Sequence, residues 1–276
     1  MGGDDSPATS RFSAILERTV YPLFRRVDFR GKGRLQAWMP VRSEGTAVAG
    51  FPGGMRLELD LRESLQRDYL FGLYDQYELE LVRRHLRGSG DFVDVGAHIG
   101  MYTVTASLAL RDRGRVLAFE PNPAARLQLE RNLSVNGCDN VIVSGRAAAD
   151  AVGESFLHVP ETPDPSFSSL ETGRFAEGKP VPVEMTTLDC EVDAVGLRPA
   201  MVKIDVEGGE LRVLAGMTRT LDARPVLLVE VSAESGAELE RRLEPLDYRA
   251  FRVAHRRLEP GLAGGRGLFN ALFLPS

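Results

Sequence analysis

Cysteine is scarce in this chain. Its 276 residues include two cysteines, Cys138 and Cys190, which lie far apart and form no Cys-x-x-Cys or Cys/His ligand spacing. This distribution argues against a disulfide framework and against a structural zinc site. Free thiols are typical of a reducing compartment, so we expect a cytoplasmic protein.

Excess positive charge and long apolar runs are also lacking. The formal net charge is -5, and no tract is rich in lysine or arginine, which disfavours binding to nucleic acid through its phosphates. No run approaches the roughly 18 apolar residues of a membrane span, and the acidic N-terminus differs from a signal peptide. We therefore expect a soluble protein whose partners are small or neutral molecules, with no nucleic acid and no membrane among them.

Several catalytic motifs are missing as well. The chain has no Gly-x-Ser-x-Gly elbow, no His-Glu-x-x-His pair and no phosphate-binding loop with Gly-Lys-Ser/Thr. Their absence disfavours the common hydrolases, zinc proteases and nucleotide-hydrolysing enzymes. Group transfer and hydride transfer remain as the candidate reactions.

The sequence pattern of residues 1–65 predicts a small N-terminal cap. Apolar residues between 10 and 27 recur at spacings of three and four, which is typical of an amphipathic helix. The glycine-punctuated segments between 33 and 61 predict antiparallel strands. The helix could cover the protein's own core or that of a second copy, so the sequence does not decide between a monomer and a homo-oligomer.

The sequence pattern of residues 66–276 predicts one α/β domain. Apolar runs alternate with helical segments, as in a doubly wound, mostly parallel sheet with helices on both faces. A polar, Pro-rich insertion over 153–188 breaks this rhythm and is a candidate substrate-facing loop, although a plain surface excursion fits it equally. The predicted strands are 92–95, 115–119, 140–144, 154–159, 181–186, 200–206 and 225–231, and the predicted helices are 100–110, 123–135, 209–221 and 235–244.

A glycine-bearing turn follows the first strand of this domain. Residues 92–102 read FVDVGAHIGMY, an apolar run that contains Asp94 and continues through Gly96 and Gly100 into a helix. Glycine lets the main chain approach a ligand, and the amides that open a helix can bind a polar group. A dinucleotide fingerprint needs a middle glycine to admit the pyrophosphate, and this chain has His98 in its place. His98 could donate to the cofactor carboxylate, act as a base or cap the helix, and we favour its interpretation as a turn residue.

Glu120 completes a candidate nucleotide site. It closes the next apolar run, at about the distance expected for a carboxylate that binds ribose hydroxyls. Together with the glycine turn it fits an adenosine-type ligand without a pyrophosphate, for which S-adenosylmethionine is the obvious candidate. An NAD-dependent oxidoreductase is an alternative, which the missing glycine disfavours.

Acidic residues end several of the predicted strands. Lys203, Asp205 and Glu207 alternate by two in the predicted strand 200–206, so they should share one face. Charges on an interior strand are costly unless they are paired or liganded. A structural ion pair between Lys203 and Asp205 would explain them, as would contacts to a cofactor or an acceptor, which we favour. The carboxylates expected at one crevice are those of Asp94, Glu120, Asp205, Glu207 and Glu230.

Three segments together resemble the FkbM family of S-adenosylmethionine-dependent methyltransferases. They are VDVGAHIGMYT at 93–103, FEPNP at 119–123 and VKIDVEGGELRVLAG at 202–216, of which the last is the most specific. The resemblance covers about residues 57–274. It implies the Rossmann-like class I methyltransferase fold, with a seven-stranded sheet whose reversed last strand would be Phe269–Leu274.

The resemblance also implies the contacts of the cofactor. Its methionine end would lie against the glycine turn, and its ribose against Glu120. Asn122 and Asp150 lie where adenine contacts usually fall, and Asp150 is the better candidate for the exocyclic amine. The cofactor-binding residues that we expect are Asp94, Gly96, Ala97, His98, Gly100, Tyr102, Glu120, Asn122 and Asp150.

Members of this family typically methylate hydroxyl groups of sugars and of polyketide or peptide natural products. The resemblance therefore implies an O-methyltransferase with a small-molecule or glycan hydroxyl as its acceptor. An alkyl hydroxyl must lose its proton as it attacks, so a general base is expected. Asp205 or Glu207 could take the proton, alone or by holding a divalent metal ion, with Lys203 beside them. A non-catalytic, cofactor-binding member of the family is the other alternative, which these intact residues disfavour.

Overall fold

The computed structural model describes most of the chain from Gly45 onward. The described residues are 45–88, 90–160, 169–170, 178–254, 256–265 and 267–276. They fall into two compact units, one ending at Gln76 and the other beginning at Tyr77. The helix predicted for residues 10–27 lies outside the described residues, so the 1–65 cap stays a prediction.

The first unit contains a two-stranded hairpin. Strand β1 (Thr46–Gly50) pairs antiparallel with β2 (Arg56–Asp60), which confirms the antiparallel strands predicted in this stretch. Leu57 and Leu59 are fully buried, while their neighbours in β2 are more exposed, so the hairpin has one apolar face. Helix α1 (Ser64–Phe71) follows.

The second unit alternates strands and helices over most of its length. Its strands are β3 (Asp91–Val95), β4 (Val116–Phe119), β5 (Val141–Ser144), β6 (Ala147–Ala148), β7 (Gly153–Pro160), β8 (Gly178–Thr186), β9 (Pro199–Ile204), β10 (Val226–Val231), β11 (Tyr248–Ala254), β12 (Arg257–Pro260) and β13 (Phe269–Pro275). Its helices, the first of which begins one residue before the unit, are α2 (Gln76–His85), α3 (Met101–Leu110), α4 (Pro123–Asn136), α5 (Leu188–Val195), α6 (Glu210–Ala215), α7 (Thr218–Asp222) and α8 (Ala233–Leu243). Among the described residues, no helix is both long and apolar enough to cross a bilayer. The alternation confirms the predicted α/β class.

The main sheet has eight strands in the order β12-β11-β13-β10-β9-β3-β4-β5. Strands β5, β4, β3, β9 and β10 are parallel to one another, while β13 is antiparallel to both β10 and β11. The predicted reversed last strand is therefore confirmed. The predicted number of seven strands is one short, because β12 extends the edge beyond β11.

The strand order reverses between β3 and β9. Strands β4 and β5 extend the sheet on one side of β3, whereas β10 extends it on the far side of β9. Such a switch point opens a crevice at the carboxyl ends of the strands, where ligands bind in open α/β sheets. The residues that follow β3, β4, β9 and β10 therefore meet at this edge.

The central strands are buried on both faces. They read as nearly continuous apolar runs, as expected when both sides of a parallel sheet are covered. The fully buried apolar side chains of these strands include Val93, Val95, Leu117, Phe119, Val202, Ile204, Leu227 and Val229. Asp94 and Lys203 are charged residues buried within these runs. Both lie near the carboxyl ends of their strands.

The two strands of the insertion, β7 and β8, join β6 in a separate three-stranded sheet in the order β6-β8-β7. Strands β7 and β8 pair antiparallel along their length, which confirms the strands predicted at 154–159 and 181–186. Helix α5 follows β8, in a stretch where no helix was predicted from the sequence.

The single helix predicted over 209–221 is wrong, because the structure has two helices there, α6 and α7. The first helix ends before Gly216, where a Cβ would lie 2.0 Å from the main-chain oxygen of Ala149. The carboxylate of Asp189 then accepts a hydrogen bond from the amide of Thr220 at 2.8 Å, which satisfies a donor at the start of α7. Contacts from distant segments therefore decide where these helices end and begin.

Candidate cofactor and acceptor site

The turn after β3 packs tightly against two neighbouring segments. Gly96 has a φ of 85°, and a Cβ there would lie 1.8 Å from the main-chain oxygen of Asp205. Gly100 has a φ of 94°, and a Cβ there would lie 2.6 Å from Cδ1 of Leu129. The sequence suggested that these glycines admit a ligand, and the structure shows that protein atoms already approach both of them. The turn is therefore fixed by its own chain.

Glu120 joins the glycine turn to the start of α4. Its Oε2 accepts a hydrogen bond from the amide of His98 at 2.7 Å, and its Oε1 accepts one from the amide of Asn122 at 2.9 Å. The Asn122 side chain in turn accepts from the amide of Ala124 and caps α4. Burial raises the pKa of Glu120 to about 7, although the two amide bonds lower it. Each carboxylate oxygen has a second lone pair, which could accept from a ligand hydroxyl.

Asp94 is a second buried carboxylate beside the turn. It accepts a hydrogen bond from the hydroxyl of Thr103 in α3. Burial raises the pKa of Asp94 to about 6, while the Thr103 bond and the positive charge of Lys203 lower it. The charge of Asp94 also raises the pKa of Glu120. The protonation states of these two carboxylates therefore affect each other.

Lys203 links the two sides of the switch point. Its side chain is 1% exposed, and its Nζ lies 2.9 Å from Oδ2 of Asp205. The same Nζ lies 5.0 Å from the centroid of the Tyr102 ring, within reach of a cation–π interaction. Its charge lowers the pKa values of Asp94 and Glu78. The ion pair that the sequence suggested is present, and it lies inside the candidate site.

Asp205 and Glu207 are not part of β9, so the prediction that they share one face of a strand with Lys203 is wrong. Strand β9 ends at Ile204, and Glu207 has a φ of 54°, in the left-handed region. The alternation of a strand therefore stops before these residues. The amide of Asp205 still bonds to the main-chain oxygen of Val95 at 2.9 Å, which keeps Asp205 beside the glycine turn.

Three carboxylates nevertheless converge at this edge. One oxygen each from Asp205, Glu207 and Glu230 lies within 4.8 Å of the others. If a divalent cation bound here, these three residues would hold it through oxygen ligands. One oxygen of Asp205 already accepts a hydrogen bond from Lys203. The spacing alone therefore does not define a metal centre.

A further carboxylate, that of Glu78 in α2, was not singled out from the sequence. Burial raises its pKa, while the charge of Lys203 and a hydrogen bond with the Asn270 side chain lower it. Asn270 lies opposite Glu230 in the pairing of β13 with β10, so Glu78 borders the same edge. No local pattern marks Glu78, because its partners are distant in the sequence.

Asp150 interacts with Arg212 of α6. Its Oδ1 accepts hydrogen bonds from Nε at 3.0 Å and from Nη2 at 2.8 Å. These bonds lower the pKa of Asp150, whose side chain is 45% exposed. The partner that the structure gives Asp150 is thus a residue of α6, and its contact with adenine stays a prediction.

The sheet and its edge define a class of protein. A parallel sheet with a switch point, a reversed β13, a glycine turn after β3 and an acid after β4 together form the Rossmann-like fold of class I methyltransferases. The sequence also matches the methyltransferase FkbM domain over residues 94–250, which is more than half of the chain. The chain belongs to the FkbM methyltransferase family.

Individual relatives are more distant. Over 141 residues the chain is 30% identical to the hexuronic acid methyltransferase AglP of Haloferax volcanii, a match that spans 51% of this chain and 55% of that protein. It is similar to the solved structure of methyltransferase FkbM from Methylobacillus flagellatus, with 19% identity and a TM-score of 0.45 over 75% of this chain and 52% of that one. A SAM-dependent methyltransferase from Agrobacterium tumefaciens gives 12% identity and a TM-score of 0.49 over 83% and 69% of the two chains. Family membership rests on the domain match rather than on these likenesses.

Proposed function

We propose that this protein is an S-adenosylmethionine-dependent O-methyltransferase that acts on a hydroxyl group of a sugar, a glycan or a secondary metabolite. The observation that supports this most is the position of Asp205, whose main chain bonds to Val95 at 2.9 Å and packs against Gly96. A carboxylate is thereby held beside the turn expected to receive the methionine end of the cofactor. Methylation of a hydroxyl requires a base near the transferred methyl group.

The residues of the cofactor half of the site, Asp94, Gly96, Gly100 and Glu120, are compatible with this cofactor. Glu120 can accept further hydrogen bonds from ribose hydroxyls, and the amides that open α3 can receive a carboxylate. S-adenosylmethionine would supply an electrophilic methyl group when bound. The chain itself would bind the cofactor, orient the acceptor and remove a proton.

The residues of the acceptor half are Lys203, Asp205, Glu207 and Glu230. Lys203 binds Oδ2 of Asp205 and so orients the carboxylate, leaving Oδ1 to accept the proton of the acceptor hydroxyl. Glu207, whose carboxylate lies within 4.8 Å of that of Asp205, is the other candidate base. Either assignment gives the acceptor oxygen the negative charge that it needs to attack.

A sugar is the acceptor class that we favour. The relative AglP is named for a hexuronic acid, and clustered carboxylates can accept hydrogen bonds from the several hydroxyls of a sugar. A hexuronic acid carries both hydroxyl and carboxyl oxygens, so methyl transfer to a carboxyl is a second candidate reaction. The carboxylates of Asp205, Glu207 and Glu230 would repel an anionic group, which favours transfer to a hydroxyl.

Isothermal titration with S-adenosylhomocysteine, compared with NAD, tests the cofactor. We expect micromolar binding of the former and none of the latter. Binding of NAD alone would support the oxidoreductase alternative, and binding of neither ligand to folded, ligand-free protein would contradict the cofactor assignment.

Transfer of a labelled methyl group to neutral hexosides and to hexuronic acids tests the reaction. A methyl ether on a hydroxyl withstands mild alkali, whereas a methyl ester on a carboxyl is hydrolysed, so alkaline treatment distinguishes the two products. We expect an alkali-stable label. Label found only as an ester would contradict the hydroxyl assignment, and cofactor binding without transfer to any acceptor would support the non-catalytic alternative.

A further inference from the structure

In the described part of the insertion, the side chain of Ser169 reaches the acceptor half. The Oγ of Ser169 donates a hydrogen bond to the main-chain oxygen of Glu207 at 2.8 Å. Ser169 is 1% exposed, and its own amide and carbonyl bond to His158 of β7 at 3.2 and 2.8 Å. The hydroxyl is therefore presented by a main chain that is itself held on β7.

The peptide unit between Glu207 and Gly208 is held at both ends. Its oxygen accepts from Ser169, and its nitrogen donates to Oε1 of Glu210 at 2.8 Å. Glu210 is buried, which restricts its side chain. Two side chains from different segments thus fix the orientation of one peptide plane.

The conformation of Glu207 makes this restraint necessary. Its φ of 54° lies in the left-handed region, which residues other than glycine, asparagine and aspartate adopt at a cost. Such a conformation persists where the surroundings hold it. Without the bond from Ser169 the turn would relax, and the Glu207 carboxylate would move relative to those of Asp205 and Glu230.

We propose that Ser169 is a positioning residue, whose hydrogen bond to the Glu207 main chain sets the direction of the Glu207 side chain and makes methyl transfer depend on the insertion. This inference rests on the role proposed above for Glu207 in the acceptor half.

Ser169→Ala tests the proposal, with Ser155→Ala as a matched control that removes a serine hydroxyl from β7 itself. We expect Ser169→Ala to lower kcat by about fivefold to tenfold, the effect of one hydrogen bond. The Kd for S-adenosylhomocysteine should stay within about twofold of the original value, since the cofactor half is unchanged. Ser155→Ala should alter neither quantity.

The Glu207→Gln background separates positioning from a general loss of structure. There the carboxylate to be positioned is absent, so Ser169→Ala should lower kcat by less than about twofold. Equal losses of kcat in the two backgrounds would overturn the proposal, because Ser169 would then act independently of the Glu207 side chain.

Hydrogen exchange gives a readout that needs no turnover. Ser169→Ala should speed amide exchange in the segment 205–210, and Ser155→Ala should not. Unchanged exchange in Ser169→Ala would overturn the proposal. Failure of the unmodified protein to methylate any acceptor would instead contradict the proposed function, and the exchange experiment would still decide whether Ser169 holds the turn.

Discussion

In the cofactor half of the site, Glu120 is held by two main-chain amides, whereas in the acceptor half Asp205 is held through its side chain by Lys203. The amide donors belong to His98 and Asn122, in the short turns that follow β3 and β4. Only substitution by proline removes a main-chain donor, whereas many substitutions remove a lysine ammonium or a serine hydroxyl. The acceptor half is therefore the part of the site that sequence changes can remodel while the cofactor half stays intact.

Asp205→Asn should separate the two halves most clearly. Loss of a general base typically lowers the rate by about 10²–10⁴-fold, so we expect turnover to be abolished in a methyl-transfer assay. Binding of S-adenosylhomocysteine should be preserved, because the cofactor half is unchanged. Asp193→Asn, at an exposed ion pair with Arg219, is the matched control and should retain activity. Loss of cofactor binding in Asp205→Asn would assign Asp205 to the cofactor half instead.

Glu120→Gln should have the opposite pattern. In glutamine an NH2 group replaces one of the two carboxylate oxygens and cannot accept from the amide that this oxygen served. Glutamine also lacks the charge that strengthens bonds to ribose hydroxyls. We expect the affinity for S-adenosylhomocysteine to fall by about tenfold to a hundredfold, with a much smaller change in kcat at saturating cofactor. Glu184→Gln, on the exposed side of β8, is the control. An unchanged affinity in Glu120→Gln would remove Glu120 from the cofactor half.

The cofactor half should also respond to pH. Ribose hydroxyls donate to the ionised form of Glu120, whose pKa burial raises to about 7 in the ligand-free protein. Binding should therefore release a proton, and affinity should rise between about pH 6 and 8 and then level off. Titration calorimetry in buffers of different ionisation enthalpy measures the released proton. Glu120→Gln should flatten the profile, and an affinity that falls with rising pH would contradict this assignment.

The positions of the cofactor-half residues could be anticipated from the sequence, because each lies near the end of an apolar strand or in the turn that follows it. An apolar strand, a glycine turn and an acid after the next strand specify the positions of Asp94, Gly96 and Glu120 with little help from elsewhere. The reversed strand β13 could be anticipated through the resemblance to the family. The split between α6 and α7 could not, since it depends on the close approach at Gly216 and on the carboxylate of Asp189.

The acceptor half was less predictable because its contacts join distant segments. Strand alternation put Lys203 and Asp205 on one face, but β9 ends at Ile204 and a left-handed turn at Glu207 brings the carboxylates together instead. Glu78 interacts with side chains of β9 and β13, which only the folded sheet brings near it. Local patterns carry no information about such pairings.

Asp150 tests where the cofactor half ends, and its effect should be the smallest. If its carboxylate accepts from the adenine amine, Asp150→Ala should lower the affinity for S-adenosylhomocysteine by about threefold to tenfold. Arg212→Ala is the matched control, because it breaks the same half-exposed ion pair but keeps the carboxylate, and it should leave the affinity within about twofold. If both variants lose a small and equal amount of stability and neither loses affinity, Asp150 serves only to pair with Arg212 of α6 and does not bind the cofactor. The cofactor half would then be confined to the turns that follow β3 and β4.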